Sequence, residues 1–161
     1  MKSIYSKDNI AVVGGSGFVG TRLCSRLSEL GSIFSIFDLV EGDRFSHKTI
    51  QGDVCNSQEL EALANADILI NLAAVHRDDV WPISLYDDVN VGGAKSLCDA
   101  ARLYDISTIV FTSTVAIYGF APADTDEMGE PNYFNDYGRT KYLAEQVYKE
   151  WQAEDPDNRT L

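Results

Sequence analysis

The sequence predicts an α/β domain built on a doubly wound parallel sheet of order 3-2-1-4-5. Three observations predict it. A glycine-rich turn, Gly14-Gly15-Ser16-Gly17-Phe18-Val19-Gly20, follows a short apolar run and opens a stretch of helical periodicity. An acid, Asp38, closes the next apolar run, eighteen positions after Gly20. Beyond it, apolar runs keep alternating with helical patterns to the end of the 161 residues. Strands separated by helices pair in parallel through crossovers, and the helices then cover both faces of the sheet.

The elements follow in order. Strands are expected at residues 9–13, 33–38, 48–51, 67–72 and 108–113, each a short run rich in Ile, Val, Phe, Leu or Thr. Helices are expected at 18–30, 57–64, 86–104 and 137–151. Gly31 suits the left-handed position that closes the first helix. Ser57, followed by Glu59-Leu60-Glu61, suits an N-cap. Residues 119–136 carry Pro122, Gly129, Pro131 and the acids Asp124, Asp126, Glu127 and Glu130, and form a long loop. Such a loop is functional or mobile, or else a solvated acidic connection. Residues 155–161 lead towards a sixth strand, so the chain is expected to stop inside a larger architecture.

Composition narrows the function. The formal net charge is −12, which disfavours nucleic acid as a partner. No stretch reaches the roughly 18–20 apolar residues of a membrane span, and residues 1–8 lack an apolar signal region. A soluble, cytoplasmic domain of 1–161 is therefore expected, with no membrane partner. Cys24, Cys55 and Cys98 have no metal or redox spacing and read as buried free thiols. His47 and His76 are too few and too far apart for a zinc site, so no metal is expected.

The glycine turn carries the first chemistry. G-x-x-G-x-x-G between strand and helix allows a tight turn, a close backbone approach to a pyrophosphate, and helix-on-strand packing. The first-turn N–H groups then face the phosphates, backed by the positive end of the helix dipole. An ordinary glycine-rich turn is the plainer alternative. Asp38 weighs against it, since a carboxylate there accepts hydrogen bonds from both hydroxyls of an adenosine ribose. This is a Rossmann-like reading. It favours NAD over NADP, whose 2′-phosphate would meet the Asp38 carboxylate; nearby Arg44 is the one residue that runs against it.

Further along, Tyr137 and Lys141 stand four residues apart, on one face of a helix. Tyrosine is a poor base at neutral pH, and a neighbouring cation favours its phenolate. Leu143, Val147 and Trp151 would form the stripe that packs on the sheet. Ser113 and Thr114 close the last strand, where ligands of open α/β sheets bind. They either offer a hydroxyl to a substrate or satisfy local backbone.

Taken together these pieces resemble the N-terminal half of an extended short-chain dehydrogenase/reductase of the NAD-dependent epimerase/dehydratase family. The resemblance rests on Gly14 to Gly20, Asp38, Gly52-Asp53-Val54, Asn71-Leu72-Ala73-Ala74, Asn90-Val91-Gly92-Gly93, Ser113-Thr114 with Tyr118-Gly119, and Tyr137 with Lys141. It implies that Gly14, Gly17 and Gly20, with the Phe18 and Val19 amides, hold the pyrophosphate of NAD. Asp38 would bind the adenosine ribose, and Asp53 and Val54 the adenine edge; Asp53 reads equally as a turn residue. Leu72, Ala73 and Ala74 would line the cofactor trough, and Asn90 would support the site from within its helix. Thr114, beside Ser113, would hydrogen-bond the reacting sugar hydroxyl. Tyr137 would move its proton, and Lys141 would bind the nicotinamide ribose and tune Tyr137.

The resemblance implies a nucleotide-sugar epimerase, with transient hydride transfer at a sugar carbon. A keto-sugar reductase, a hydroxysteroid-type dehydrogenase or a non-catalytic NAD-binding module remain alternatives. Dehydratases of the family carry Asp-Glu where this chain has Val115-Ala116, so water elimination is not expected. Asn71 stands where many members carry His, and His76 reads as a surface residue. Members usually run to about twice this length, so the C-terminal substrate domain is expected to be absent. A homodimer through the helices at 86–104 and 137–151 is expected.

Overall fold

A computed structural model describes residues 8–161; residues 1–7, part of the segment read above as lacking a signal, lie outside the described residues. Five strands form one parallel sheet in the order β3-β2-β1-β4-β5. They are β1 (Asn9–Val13), β2 (Ile33–Asp38), β3 (Thr49–Gln51), β4 (Ile68–Asn71) and β5 (Thr108–Phe111). Three α-helices accompany them: α1 (Phe18–Glu29), α2 (Gly93–Leu103) and α3 (Asp136–Ala153).

The central strand shows why the sheet is doubly wound. Side chains alternate across a strand, and both faces of β1 are apolar. Ala11 and Val13 point into one core with Phe37, Leu69, Leu97, Ile109, Ala144, Tyr148 and Trp151, contributed largely by α2 and α3. Ile10 and Val12 point into the other, with Cys24 of α1, Phe34, Ile36 and Phe45. α1 ends as its glycine foretold: Gly31 takes φ +70°, its N–H bonds Ser28 O, and Ser32 N–H bonds Leu27 O.

Several expectations shift. The helix at 57–64 is a short 3₁₀ helix, Glu59–Leu63, and Ser57 does not cap it. Its buried residues, Leu60 and Leu63, are three apart, which a three-residue turn stacks on one side. The helix expected at 86–104 is continuous to Leu103, but its first part, Tyr86–Gly92, is wound as a π-helix before α2 begins. β4 and β5 stop short of Leu72 and Ser113, leaving those residues in the turns beyond the strand ends. The buried stripe of α3 is Lys141, Ala144, Tyr148 and Trp151; of the expected stripe, Trp151 and the half-buried Val147 pack on the core, and Leu143 is half-buried. Cys55 is exposed, its thiol 3.5 Å from Asp88 O, whereas Cys24 and Cys98 are buried. The sixth strand is present as a single parallel bridge from Thr160 to Thr108 at the edge of β5. No helix among the described residues is long and apolar enough to cross a membrane.

Gly20 shows how tightly α1 sits on the turn before it. A Cβ there would fall 2.5 Å from Gly15 Cα, whereas one on Gly17 would meet nothing nearer than Gly14 O at 3.5 Å. Gly20→Ala is expected to cost about 1–2 kcal/mol, because overpacking outweighs the helix propensity that alanine gains. Gly17→Ala should leave stability near the parent's. Urea unfolding of the two variants checks this.

Candidate active site

A parallel sheet brings all its strand carboxyl ends to one edge, and the singled-out residues collect there. The glycine turn leaves β1, Asp38 is the last residue of β2, and Asp53 and Val54 follow β3. Leu72, Ala73 and Ala74 follow β4, and Ser113 and Thr114 follow β5.

At the centre of this edge two backbones nearly touch. Gly14 has φ +76°, and a Cβ there would lie 2.6 Å from Ala73 N. The turn out of β1 therefore lies against the exit from β4. Gly17, by contrast, is exposed, and nothing in the protein crowds it. α1 starts beside it without a side-chain cap and without an acid in its first turn. The Phe18, Val19 and Gly20 amides begin a 12-residue helix whose positive end is therefore left for an outside acceptor. Ser16 adds a buried hydroxyl with no hydrogen-bond partner. Asp38 braces the turn: its Oδ2 accepts from Ser16 N at 2.9 Å and its Oδ1 from Val40 N at 3.2 Å. Open backbone, helix start and orphaned hydroxyl together form a donor set that fits a diphosphate.

Beside it, Asp53 Oδ1 accepts from Cys55 N at 2.9 Å, and Asp53 N donates to Glu59 Oε2 at 2.7 Å. Asp53 thus shapes its own turn. Val54 is buried against Gly93, where a Cβ would fall 2.9 Å from Val54 Cγ1. Its side chain belongs to the core, so only its backbone is available to a ligand.

The other half of the site is held by Asn90 and Gly138. Buried Asn90 accepts from Val75 N at 2.8 Å and donates to Val75 O at 3.0 Å and Thr140 Oγ1 at 2.9 Å. One amide thereby ties the β4 exit to α3 from within the π-helical turn. Gly138 lets α3 dock on the turn after β5, since a Cβ there would lie 2.5 Å from Ala116 O. Asn135 caps α3, accepting from Gly138 N at 2.8 Å. Arg139 pairs with Asp87 through two hydrogen bonds, at 2.8 and 2.6 Å, and also reaches Asp136. That pairing holds the Asp87 carboxyl below its ordinary range and the Arg139 guanidinium above its own. The result brings the Tyr137 and Lys141 turn of α3 against the Thr114 turn. Thr114 Oγ1 accepts from Ala116 N at 3.2 Å, and Ser113 Oγ is buried without a partner. His76 is exposed, 3.4 Å from Ala74 O.

Lys141 is the unexpected member. Its side chain is 3% exposed and its ammonium sits 4.0 Å from the centre of the Phe111 ring. Burial pushes its pKa down to about 8, against the pull of the Glu145 carboxylate. Tyr148, behind Phe111, accepts from Asn71 Nδ2 at 2.7 Å, and burial pushes its phenol pKa upward. Sequence reading missed Gly138, Arg139, Phe111 and Tyr148. Gly138 left a trace, a glycine inside an otherwise good helix; the others looked like ordinary helix and strand residues.

Residues 10–159 match the family model described as NAD dependent epimerase/dehydratase family. The chain belongs to this family. It is 41% identical, over 96% of its length, to the N-acetyl-alpha-D-glucosaminyl-diphospho-ditrans,octacis-undecaprenol 4-epimerase of Escherichia coli O157:H7, and covers 46% of that protein. It is 30% identical over 89% of its length to the UDP-glucose 4-epimerase of Rhizobium meliloti (strain 1021), covering 47% of it. The solved UDP-glucose 4-epimerase from Brucella ovis, in complex with NAD, superposes with TM-score 0.83 at 30% identity; the match covers 91% of this chain and 48% of that one. The chain thus spans about half the length of the curated relatives it matches. The fold described above is similar to that of the solved Brucella ovis structure over nearly all of the chain.

The lowered Lys141 pKa has a stability consequence. Between about pH 8 and the ordinary 10.5, the unfolded chain binds the proton that the folded chain has lost, so Lys141 makes stability rise with pH across that window. Below pH 8 the full cost of burying the ammonium is present, about 3 kcal/mol. Lys141→Met is therefore expected to be more stable than the parent at pH 7 by about 2–3 kcal/mol, with the gain vanishing by pH 10.5. Urea unfolding of both proteins across this range measures the difference; a difference that stays flat with pH would count against the buried cation.

Proposed function

We propose that this chain binds NAD and carries the proton-transfer groups of a sugar epimerase acting on a hexose linked to a diphosphate. The observation that supports the reading is the docking of α3 through Gly138 beside Ala116, which brings the first turns of α3, bearing Tyr137 and Lys141, next to the turn that follows β5. NAD, when bound, supplies a hydride acceptor that later returns the hydride.

The chain's own groups do the rest. The Gly17 backbone and the Phe18, Val19 and Gly20 amides hold the diphosphate of the cofactor, with Gly14 shaping the turn. Asp38, already oriented by two backbone amides, takes the adenosine ribose hydroxyls and selects NAD over NADP. The Arg44 guanidinium lies 5.6 Å from the centre of the Phe45 ring, turned to an aromatic face. The Asp53 turn and the Val54 backbone border the adenine, and Leu72, Ala73 and Ala74 form the trough wall. Thr114 uses its oxygen for Ala116 N, so its hydrogen is free for the sugar oxygen. Ser113 offers a second hydroxyl. Tyr137 would take the proton of the sugar hydroxyl on the carbon that is oxidised and return it when that carbon is reduced again. Lys141 places a positive charge beside the phenol and the cofactor ribose. Val115 and Ala116 offer no acid or base for eliminating water.

The carrier has two readings. A nucleotide sugar is supported by relatives and neighbours named for UDP-glucose. A polyprenyl diphosphate carrier is supported by the Escherichia coli relative, whose name specifies an undecaprenol-linked sugar. Exposed apolar side chains favour the second. Phe120 stacks on Phe134 at 4.8 Å beside a cleft of about 410 Å³ that Tyr118, Pro122 and Pro131 also line. Both readings share a hexose on a diphosphate. A homodimer through α2 and α3 is supported by the half-buried Leu143 and the exposed Leu103. A cytoplasmic location is in keeping with three free thiols.

Calorimetric titration is expected to give saturable NAD binding with a dissociation constant at least about tenfold below that for NADP, and Gly17→Ala should weaken it. Binding of neither nucleotide overturns the reading. Tyr137→Phe should bind NAD like the parent while losing on the order of 10²-fold or more in turnover. Turnover is followed by NMR of the sugar, with UDP-glucose and with a polyprenyl-diphosphate N-acetylglucosamine as substrates. NAD binding without turnover of either would favour a non-catalytic module.

A further inference from the structure

We propose that Phe111 is a positioning residue for Lys141, its ring face serving as the seat that holds the ammonium at the site edge. The proposal deepens the functional reading and rests on Lys141 being the cation of the site.

Lys141 is buried one turn into α3, yet no carboxylate lies within ion-pair distance of it among the described residues, and no hydrogen bond reaches its ammonium there. The charged group acting on it is Glu145, one turn further along α3. The phenols Tyr137 and Tyr148 lie on the same helix. β5 and its exit present Phe111, Ser113 and Thr114, and β4 presents Asn71; none of these carries charge. What meets the ammonium is the Phe111 ring, 4.0 Å away. The negative face of an aromatic ring attracts a cation, and most strongly when both are removed from water.

A ring face does what a carboxylate could not. It stabilises the charge without neutralising it, and it accepts no conventional hydrogen bond. The N–H groups turned away from the ring therefore remain available to hydroxyls at the site edge. An aliphatic residue, like Ile109 or Val110 beside it in β5, would satisfy the packing but not the cation.

The ring is itself fixed from behind. Tyr148 packs on Phe111 with centroids 4.7 Å apart and planes inclined at 42°. The Tyr148 hydroxyl is held by Asn71 Nδ2 at 2.7 Å, while Asn71 Oδ1 accepts from Ala73 N at 3.0 Å. Ala73 is the residue against which Gly14 turns. The seat of Lys141 is thus continuous with the wall of the glycine turn, and Asn71 gains a role there as the anchor of that support.

The test replaces the ring's charge distribution while keeping its shape. The protein is labelled with 13C,15N-lysine, and the Lys141 side-chain signal, assigned by its loss in Lys141→Arg, is followed with pH. Phe111→Leu, and 3,4,5-trifluorophenylalanine placed at position 111, are each expected to lower the Lys141 midpoint by about one pH unit, because the charged form loses its partner. Phe111→Tyr, which keeps the ring face, should leave it near the parent's. If Phe111→Leu does not fold, the fluorinated protein decides the matter, since its ring fills the same space. An unchanged Lys141 midpoint in the fluorinated protein overturns the proposal. NAD titration of Lys141→Met tests the underlying reading separately: unimpaired affinity would remove the cofactor role of Lys141 while the NMR result still reports on its seat.

Discussion

The close approach of backbones at the carboxyl edge of the sheet is the constraint on which the rest of this structure depends. Two contacts set it. Gly14 lies against Ala73, and Gly138 against Ala116, each at a distance that leaves no room for a Cβ. The first draws the turn after β1 onto the exit from β4; the second draws α3 onto the exit from β5. A side chain at either position would wedge the edge open by more than the 0.5 Å or so that a reacting geometry tolerates. Glycine is used here for what it lacks, and the site is assembled from main chain before any functional side chain is counted.

Polar side chains then lock what the glycines permit. Asn90 uses its carbonyl and its amide together, on Val75 and Thr140, and Arg139 spans Asp87 and Asp136. Both bridges start from the π-helical segment, Tyr86–Gly92, where an extra residue in the turn changes the direction in which its side chains face. A uniform α-helix through 86–104 would not present Asp87 and Asn90 in the same way. The irregular turn is thus a means of connecting β4 to α3 across the edge where chemistry is proposed.

Electrostatics runs against stability at one point. Lys141 belongs to the buried stripe of α3, a place where an alanine or leucine would serve the core better. The fold keeps a cation there with an aromatic face and a distant carboxylate for company. A group buried at a cost, at the edge where ligands of such sheets bind, is the arrangement expected of a functional residue rather than a structural one. The surrounding orphaned hydroxyls of Ser16 and Ser113 follow the same logic, since a buried donor without a partner costs free energy until a ligand supplies one.

Much of this was legible in the sequence. Apolar periodicity and the glycine turn determined the parallel sheet and its order, because both faces of a central strand must be apolar and a βα turn of this kind follows the first strand. β1 and β2 fall where their runs predict. The same reasoning collected Asp38, Thr114, Tyr137 and Lys141, since strand carboxyl ends share one edge whatever the details of packing. It mistook the helix at 57–64, the winding of the first part of the 86–104 helix and the burial of Cys55, because turn type and exposure depend on neighbours far along the chain. Only the tertiary structure decided that Lys141 is buried on Phe111, that Asn71 reaches Tyr148 77 residues away, and that Gly138 is a docking point. Local propensity acts over a few residues, whereas these contacts are set by how whole elements pack, and nothing in a neighbouring stretch of sequence records it.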